Sequence, residues 1–200
     1  MNTHEYVMYG GAFNPPHQDH GGIIRTLLEN TAERVIIIPT GKRDDKEYSL
    51  VSDSAREDMI RLATEEFSRQ VIVDTTFLYG DILTTTLNQA RYLEEKYQKE
   101  IPQVFGSDVA SRMMNWDITG YVAHKLPKVF ISRPGYPIVP GSVSNYRELE
   151  YLSFGYSSTW VREEVKRVLD GDSDRIRVLR TMVHGKVCDY ILENHLFCSI

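Results

Sequence analysis

Five short apolar runs, Tyr6–Tyr9, Val35–Ile38, Val71–Val73, Val104–Phe105 and Val129–Ile131, alternate with amphipathic stretches at about 20–30, 54–67, 84–99 and 108–115. Apolar runs of this length, without polar alternation, suit strands buried on both faces of a parallel sheet. Strands that alternate with helices need right-handed crossovers, so the pattern predicts an α/β chain built on an open, doubly wound parallel sheet with helices on both faces. Ser54 and Glu57 have the spacing of a capping box and mark the start of the second helix. Ligands of such sheets bind beyond the carboxyl ends of the strands. Two segments fall at such ends: Gly10–His20, and Phe105-Gly106-Ser107-Asp108.

Residues 134–150 hold three prolines and two glycines and read as one long loop. Beyond it the chain turns helical, with Trp160–Leu169 ending near Gly171 and further helices expected at about 173–183 and 185–194. A length of 200 residues suits a single domain spanning 1–200, with about 155–200 as its mostly helical C-terminal part. Apolar and charged fractions of 42% and 26% are those of a globular protein. No window approaches the roughly 18 apolar residues that a membrane span needs, so no membrane association is expected. The opening residues MNTHEY carry neither a basic nor an apolar leader segment, and Cys188 and Cys198 are too few for a disulfide framework. Both features point to a cytoplasmic protein with reduced thiols. A net charge of −5 without a basic tail argues against nucleic acid as a partner. It leaves a nucleotide ligand open, since that needs only a few local cations.

The stretch YGGAFNPPHQDH, residues 9–20, leaves the first strand through two glycines and then offers two imidazoles. Gly10 and Gly11 permit a tight turn and close approach of a phosphate, and the helix that follows brings its positive N-terminal end. His17 on the turn and His20 in the first helical turn would face the same side. Imidazoles there can hydrogen-bond phosphate oxygens, and a bound polyphosphate would raise their pKa. A bare HxxH is also what two unrelated surface histidines look like. It has no third ligand at zinc spacing, and no metal ligands are assigned.

In FGSDVASRMMNW, Asp108 can accept from a ribose hydroxyl while the indole of Trp116 stacks on an aromatic ring. The alternative makes Asp108 a helix N-cap and Trp116 part of an apolar face. In YSSTWVRE, the hydroxyls of Ser157, Ser158 and Thr159 with the guanidinium of Arg162 suggest a second phosphate cradle. Capping alone accounts for one of those hydroxyls. Arg133, Lys42 and Arg43 follow other strands and bring cations toward the same edge, although each alone also reads as a solvated surface charge.

Taken together, these segments resemble the nicotinate-mononucleotide adenylyltransferases of the HxGH nucleotidyltransferase superfamily. GGAFNPPHQDH is similar to that family's GGTFDPxHxGH, VIIIPTG to its strand ending in PTG, and FGSDVASRMMNW to its GxDxxxxxxxW segment. ISRPG resembles the strand before its mobile loop, YSSTWVR its ISSTxIR signature, and VCDYILENHLF its C-terminal helix. The resemblance runs from about residue 6 to residue 197. It implies a Rossmann-like enzyme that joins ATP to a pyridine mononucleotide with Mg²⁺, giving a dinucleotide and pyrophosphate in NAD biosynthesis. It also implies direct in-line attack with no protein nucleophile. On this resemblance His17, His20 and Arg162 are the catalytic residues. The ATP side comprises Gly10, Gly11, Ala12, Phe13, His17, His20, Ser157, Ser158, Thr159 and Arg162. The mononucleotide side comprises Thr40, Lys42, Thr84, Thr85, Asp108, Trp116 and Arg133. A homo-oligomer is compatible with all of this.

Three departures stand out. PTGKRDDKEY lacks the proline pair and histidine of the family's PTGxPPHK, and GDILTTTL is a reduced form of its GxSYTxDTL. Both segments lie where the family reads the pyridine substituent, which leaves nicotinate and nicotinamide open. Asp19 stands at the glycine of HxGH, where a carboxylate could crowd or repel a nucleotide. Two other readings follow from the departures: a related nucleotidyltransferase with a different phosphate acceptor, or a catalytically silent nucleotide-binding regulator.

Overall fold

The computed structural model describes residues 4–42 and 51–198. At its centre is a six-stranded sheet in the order β3-β2-β1-β4-β5-β6. Its strands are β1 (His4–Gly11), β2 (Ala32–Pro39), β3 (Val71–Val73), β4 (Gln103–Gly106), β5 (Lys128–Ile131) and β6 (Tyr146–Leu149). Every neighbouring pair is parallel. The winding turns back between β1 and β4, so a crevice opens at the carboxyl ends of these two strands. This is the doubly wound, Rossmann-like arrangement that the alternating runs predict.

Strand side chains alternate between the two faces. Val7, Val35, Ile37, Val104 and Val129 pack on Ile23, Ile24 and Leu27 of α1 (Gln18–Asn30) and Ile60 of α2 (Asp53–Ala63). Met8, Ile36 and Ile38 meet Phe77 of α3 (Thr76–Tyr79) and Leu93 of α4 (Thr86–Tyr97) on the opposite face. Phe130 packs there too, against Ala110 and Met113 of the 3-10 helix Ser107–Asn115 and Ala123 of α5 (Tyr121–His124). Burial on both faces is why the strands carry no polar alternation; each fully buried aliphatic side chain contributes about 1.5–3 kcal/mol.

The chain ends in α6 (Ser158–Leu169), α7 (Arg175–Met182) and α8 (Gly185–Glu193). Val161, Val165, Leu179, Met182, Val187, Cys188 and Ile191 form a core with Ala55 and Met59 of α2. Inside this cluster Glu164 is wholly buried and pairs with Arg167 at 2.8 Å and with Arg175. These three helices match the expected ones to within two residues at most ends.

Several boundaries differ from the sequence reading. The segment 134–150 is not all loop, because Tyr146–Leu149 adds β6 at the sheet edge. Tyr146, Arg147 and Glu148 are exposed and Leu149 alone of the four is buried, so an edge strand carried no apolar run to find. The cap of α2 is Ser52, whose hydroxyl accepts from Ala55 N, and not Ser54. The helical stretch expected to 67 stops at Ala63 and passes into a 3-10 turn, Glu65–Phe67. Asp108 is not an N-cap: Gly106 occupies that position and Asp108 lies inside a 3-10 helix. α3 and α5, each a single turn, had no periodicity long enough to register. No helix among the described residues is long and apolar enough to cross a membrane.

Candidate active site

β1 ends in Gly10 and Gly11, and the chain then folds tightly back. A Cβ on Gly11 would sit 3.1 Å from the Phe13 ring, so this position suits glycine. Phe13 takes a left-handed φ of 48° and is buried. Its ring faces His20 with 4.9 Å between centroids. His17 is the N-cap of α1 and His20 the third residue of the helix. The His17 backbone N–H donates to His20 Nδ1 at 3.1 Å, and the two imidazoles lie 3.8 Å apart between centroids. An accepting Nδ1 puts the proton of the neutral ring on Nε2, which makes that nitrogen a donor. Burial is the main cause that lowers the His17 pKa to about 4, with Arg133 lowering it further and Asp19 opposing. Burial, then the neighbouring His17 and Arg133, pushes His20 well below its ordinary range. Both rings are therefore uncharged donors near neutral pH.

On the other side of the switch point, β4 delivers the 3-10 helix and β5 delivers Arg133. Arg133 Nε lies 2.8 Å from Asp108 Oδ1, and the Arg133 backbone N–H donates to Ser107 Oγ at 2.9 Å. The ion pair crosses directly over Gly106, where a Cβ would fall 2.3 Å from the carboxylate and 2.4 Å from Nε. Trp116 is 39% exposed, with its ring edge-on to Phe105 at 5.6 Å. It is thus no part of an apolar helix face.

Two cavities meet here. The larger, of about 540 Å³, is lined by His17, His20, Arg133, Trp116, Ser157 and Ser158, with Asp19 and Tyr151 in its wall. The smaller, of about 310 Å³, lies under Gly10, Gly11 and Ala12 and is lined by Thr40, Thr84, Thr86, Gln89 and Gln103. Gly10, Val104, Phe105 and Trp116 border both. The structure thus brings most of the residues singled out in the sequence around one opening in two subsites.

The remaining ones sit nearby in other settings. Ser157 caps α6, accepting from Trp160 N at 3.2 Å, and Ser158 Oγ donates to Pro15 O at 2.8 Å. Arg162 donates to Asn14 O at 2.7 Å and to Thr159 Oγ1 at 3.0 Å. The hydroxyl cluster and arginine therefore join the N-terminus of α6 to the Asn14–Pro16 turn, and Thr159 and Arg162 line neither cavity. Phe13 contributes packing from within the core. Thr85 caps α4, accepting from Asn88 N at 3.1 Å, so Thr86 takes the lining place expected of Thr85. Thr84 Oγ1 accepts from Gly41 N at 3.0 Å, and its N–H donates to the exposed Lys42's backbone oxygen at 2.8 Å. The Lys42 side chain lines neither cavity. Arg43, and most of the altered loop after PTG, lie outside the described residues.

One group escaped the sequence reading, and Asp19 takes a role its motif did not suggest. The Arg56 side chain is almost wholly buried and donates to Ala12 O at 2.9 Å and to Thr40 O at 2.6 Å, tying the exit of β1 to that of β2. Its signal was an arginine on the buried stripe of α2, beside Ala55, Met59 and Ile60. The Asp19 carboxylate, in the wall of the larger cavity, is engaged by the chain itself. Its Oδ1 accepts from the Tyr151 hydroxyl at 2.9 Å and from Phe154 N at 2.7 Å, and Oδ2 accepts from Tyr156 N at 2.9 Å.

Several known proteins are similar to this chain over nearly its whole length. A protein named "Probable nicotinate-nucleotide adenylyltransferase" from Caldicellulosiruptor saccharolyticus is 27% identical over 200 residues, covering 96% of this chain and 97% of its own. One with the same name from Leptospira borgpetersenii is 24% identical, covering 95% of each chain. The Plasmodium falciparum nicotinic acid mononucleotide adenylyltransferase solved with NaAD has the same fold, with a TM-score of 0.79 at 18% identity over 96% of both chains. The Cytidylyltransferase-like family model matches residues 8–164. With that match spanning the sheet, both cavities and the start of α6, the chain belongs to the cytidylyltransferase-like family.

Proposed function

We propose that this chain is a nicotinate-nucleotide adenylyltransferase of NAD biosynthesis, transferring the adenylyl group of ATP to nicotinate or nicotinamide mononucleotide. The observation that carries the reading is the larger cavity at Gly10, lined both by the imidazoles of His17 and His20 and by Trp116 and Arg133, the latter paired with Asp108, with the smaller cavity adjoining. The names of the full-length relatives point to the same reaction.

ATP occupies the larger cavity, its phosphates against the N-terminus of α1. His20 Nε2–H donates to an α-phosphate oxygen, and His17 lies beside it. The mononucleotide enters across β4, with its pyridine on the Trp116 indole and its phosphate on Arg133. The smaller cavity, with Thr40, Thr84 and Thr86, takes the ring substituent. A phosphate oxygen of the mononucleotide attacks the α-phosphorus of ATP. The new P–O bond forms as the bond to the β-phosphate bridging oxygen breaks, and pyrophosphate leaves with the electron pair. Rate comes from alignment and from donors aimed at developing charge, with no covalent enzyme intermediate.

Mg²⁺ would arrive with the triphosphate and neutralise its charge. Among the described residues no cluster of three or more His, Cys, Asp and Glu side chains could hold a metal ion. The donors lining the ATP side are N–H groups and hydroxyls, which leave phosphate oxygens available to such an ion. The C-terminal helices share a core with α2, which supports a single domain across 1–200; an enzyme of this reaction would work in the cytoplasm.

The test is pyrophosphate release from ATP and Mg²⁺ with nicotinate and nicotinamide mononucleotides supplied in parallel. Turnover with either supports the reading, and the ratio measures how the altered loops read the pyridine. ATP binding with no turnover on either would sink it in favour of another acceptor or a regulator.

A further inference from the structure

Asp19 and Gly22 occupy the first two turns of α1, and both are turned toward the segment between β6 and α6. The Asp19 carboxylate is 5% exposed and accepts three hydrogen bonds, all from Tyr151, Phe154 and Tyr156. Gly22, one turn on, leaves room for the Tyr151 ring: a Cβ there would lie 2.2 Å from the Tyr151 hydroxyl oxygen. A glycine inside a helix costs about 1 kcal/mol relative to alanine, and here the close approach of a tyrosine accounts for it.

The segment is otherwise held at its ends, where Tyr151 packs on the core under the sheet and Tyr156 on the C-terminal core. Between them Leu152 and Phe154 are 93% and 67% exposed, so the middle buries little apolar area of its own. Yet Tyr151, Ser153, Tyr156, Ser157 and Ser158 form one wall of the larger cavity. A buried carboxylate that gathers one hydroxyl and two backbone N–H groups fixes that wall with charge-assisted bonds, which are the strong ones.

We propose that Asp19 is a positioning residue for the nucleotide half of the site: with Gly22 it forms a receptor for Tyr151–Tyr156 and sets the wall against which ATP binds. This rests on the adenylyltransferase reading for the identity of the nucleotide. The residue at the HxGH glycine then acts on ATP through the segment it holds, with no contact of its own to the triphosphate.

The experiment measures ATP and mononucleotide dissociation constants separately by calorimetry, for the natural protein and for Asp19→Gly, Asp19→Asn, Gly22→Ala and Tyr151→Phe. Loss of charge-assisted hydrogen bonds predicts ATP binding weakened about tenfold in Asp19→Gly, with mononucleotide binding unchanged. Gly22→Ala should repeat the effect by displacing Tyr151. Asp19→Asn should fall between, and Tyr151→Phe should lose least because two of three bonds remain. Chymotrypsin should cut after Leu152 or Phe154 faster in Asp19→Gly than in the natural protein. Unchanged ATP binding in Asp19→Gly and Gly22→Ala overturns the proposal, as does equal weakening of both ligands or unchanged cleavage. If Asp19→Gly does not fold, Asp19→Asn and Tyr151→Phe carry the same comparison. A natural protein that bound no ATP would instead sink the adenylyltransferase reading, and the proposal with it.

Discussion

His17 and His20 are joined by two hydrogen bonds, His20 N–H donating to His17 O at 2.9 Å and His17 N–H donating to His20 Nδ1 at 3.1 Å. The latter bond orients the His20 ring and leaves Nε2–H as its donor. Replacing His20 by alanine removes the donor and should lower turnover about a hundredfold or more, as loss of an oxyanion donor does. His20→Asn retains an acceptor near the Nδ1 position but supplies nothing at Nε2, and should not restore the rate. Steady-state kinetics with saturating substrates checks both.

The two imidazoles also set a pH dependence. The folded pKa of His17 is about 4 against an ordinary 6.5, so the unfolded chain binds the extra proton first as pH falls. Stability contributed by these rings is therefore greatest above about 6.5 and declines as pH drops toward 4. A bound triphosphate raises the same pKa values, so ATP binding between pH 5 and 7 should take up protons. Urea denaturation across that range, and calorimetry in buffers of different ionisation enthalpy, read the two effects.

Arg56 holds Ala12 O and Thr40 O together from inside the protein. Arg56→Lys keeps the charge but lacks the planar fork that spans two carbonyls. It should destabilise the fold by roughly 2 kcal/mol, a Tm decrease of about 4–8 °C, and slow turnover because the β1 and β2 exits lose their fixed spacing. Free guanidinium should restore part of the rate to Arg56→Ala, a recovery that general unfolding would not give.

On the acceptor side, Trp116→Ala should raise the mononucleotide KM about ten- to a hundredfold, from ~1–3 kcal/mol of stacking, and leave the ATP KM nearly unchanged. Gly106→Ala should act on the same substrate by a different route. Its methyl group would collide with both members of the Asp108–Arg133 pair and push the guanidinium out of position. A change confined to the ATP constants would contradict both expectations.

The five apolar runs announced five strands, because strands buried on two faces must be apolar throughout. β6 gave no such sign, since an edge strand of Tyr146, Arg147 and Glu148 satisfies its backbone on one side and faces water with polar side chains. That His17, His20, Trp116 and Arg133 converge on one cavity was legible because they follow strand ends on the same edge of the sheet. Arg162 and Thr159, ligand groups on the resemblance, bond to Asn14 O and to each other, and a hydroxyl–guanidinium cluster has the same composition whether it meets a phosphate or a carbonyl. Asp19 could be seen as a departure from its motif, but not as an acceptor for Tyr151: that contact joins residues far apart in the chain, and no local pattern encodes it.

Gly10 borders both cavities at the point where the sheet changes its direction of winding. Thr40, Thr84 and Thr86 on one side and His17 and His20 on the other therefore come from separate stretches of chain, which meet along the ends of β1 and β4 and at Trp116. Substitutions around Thr84, Thr86 and Gln89 could exchange one recipient for another while the machinery on the α1 side went on unchanged. A chain divided in this way can drift in what it modifies long before it drifts in what it does.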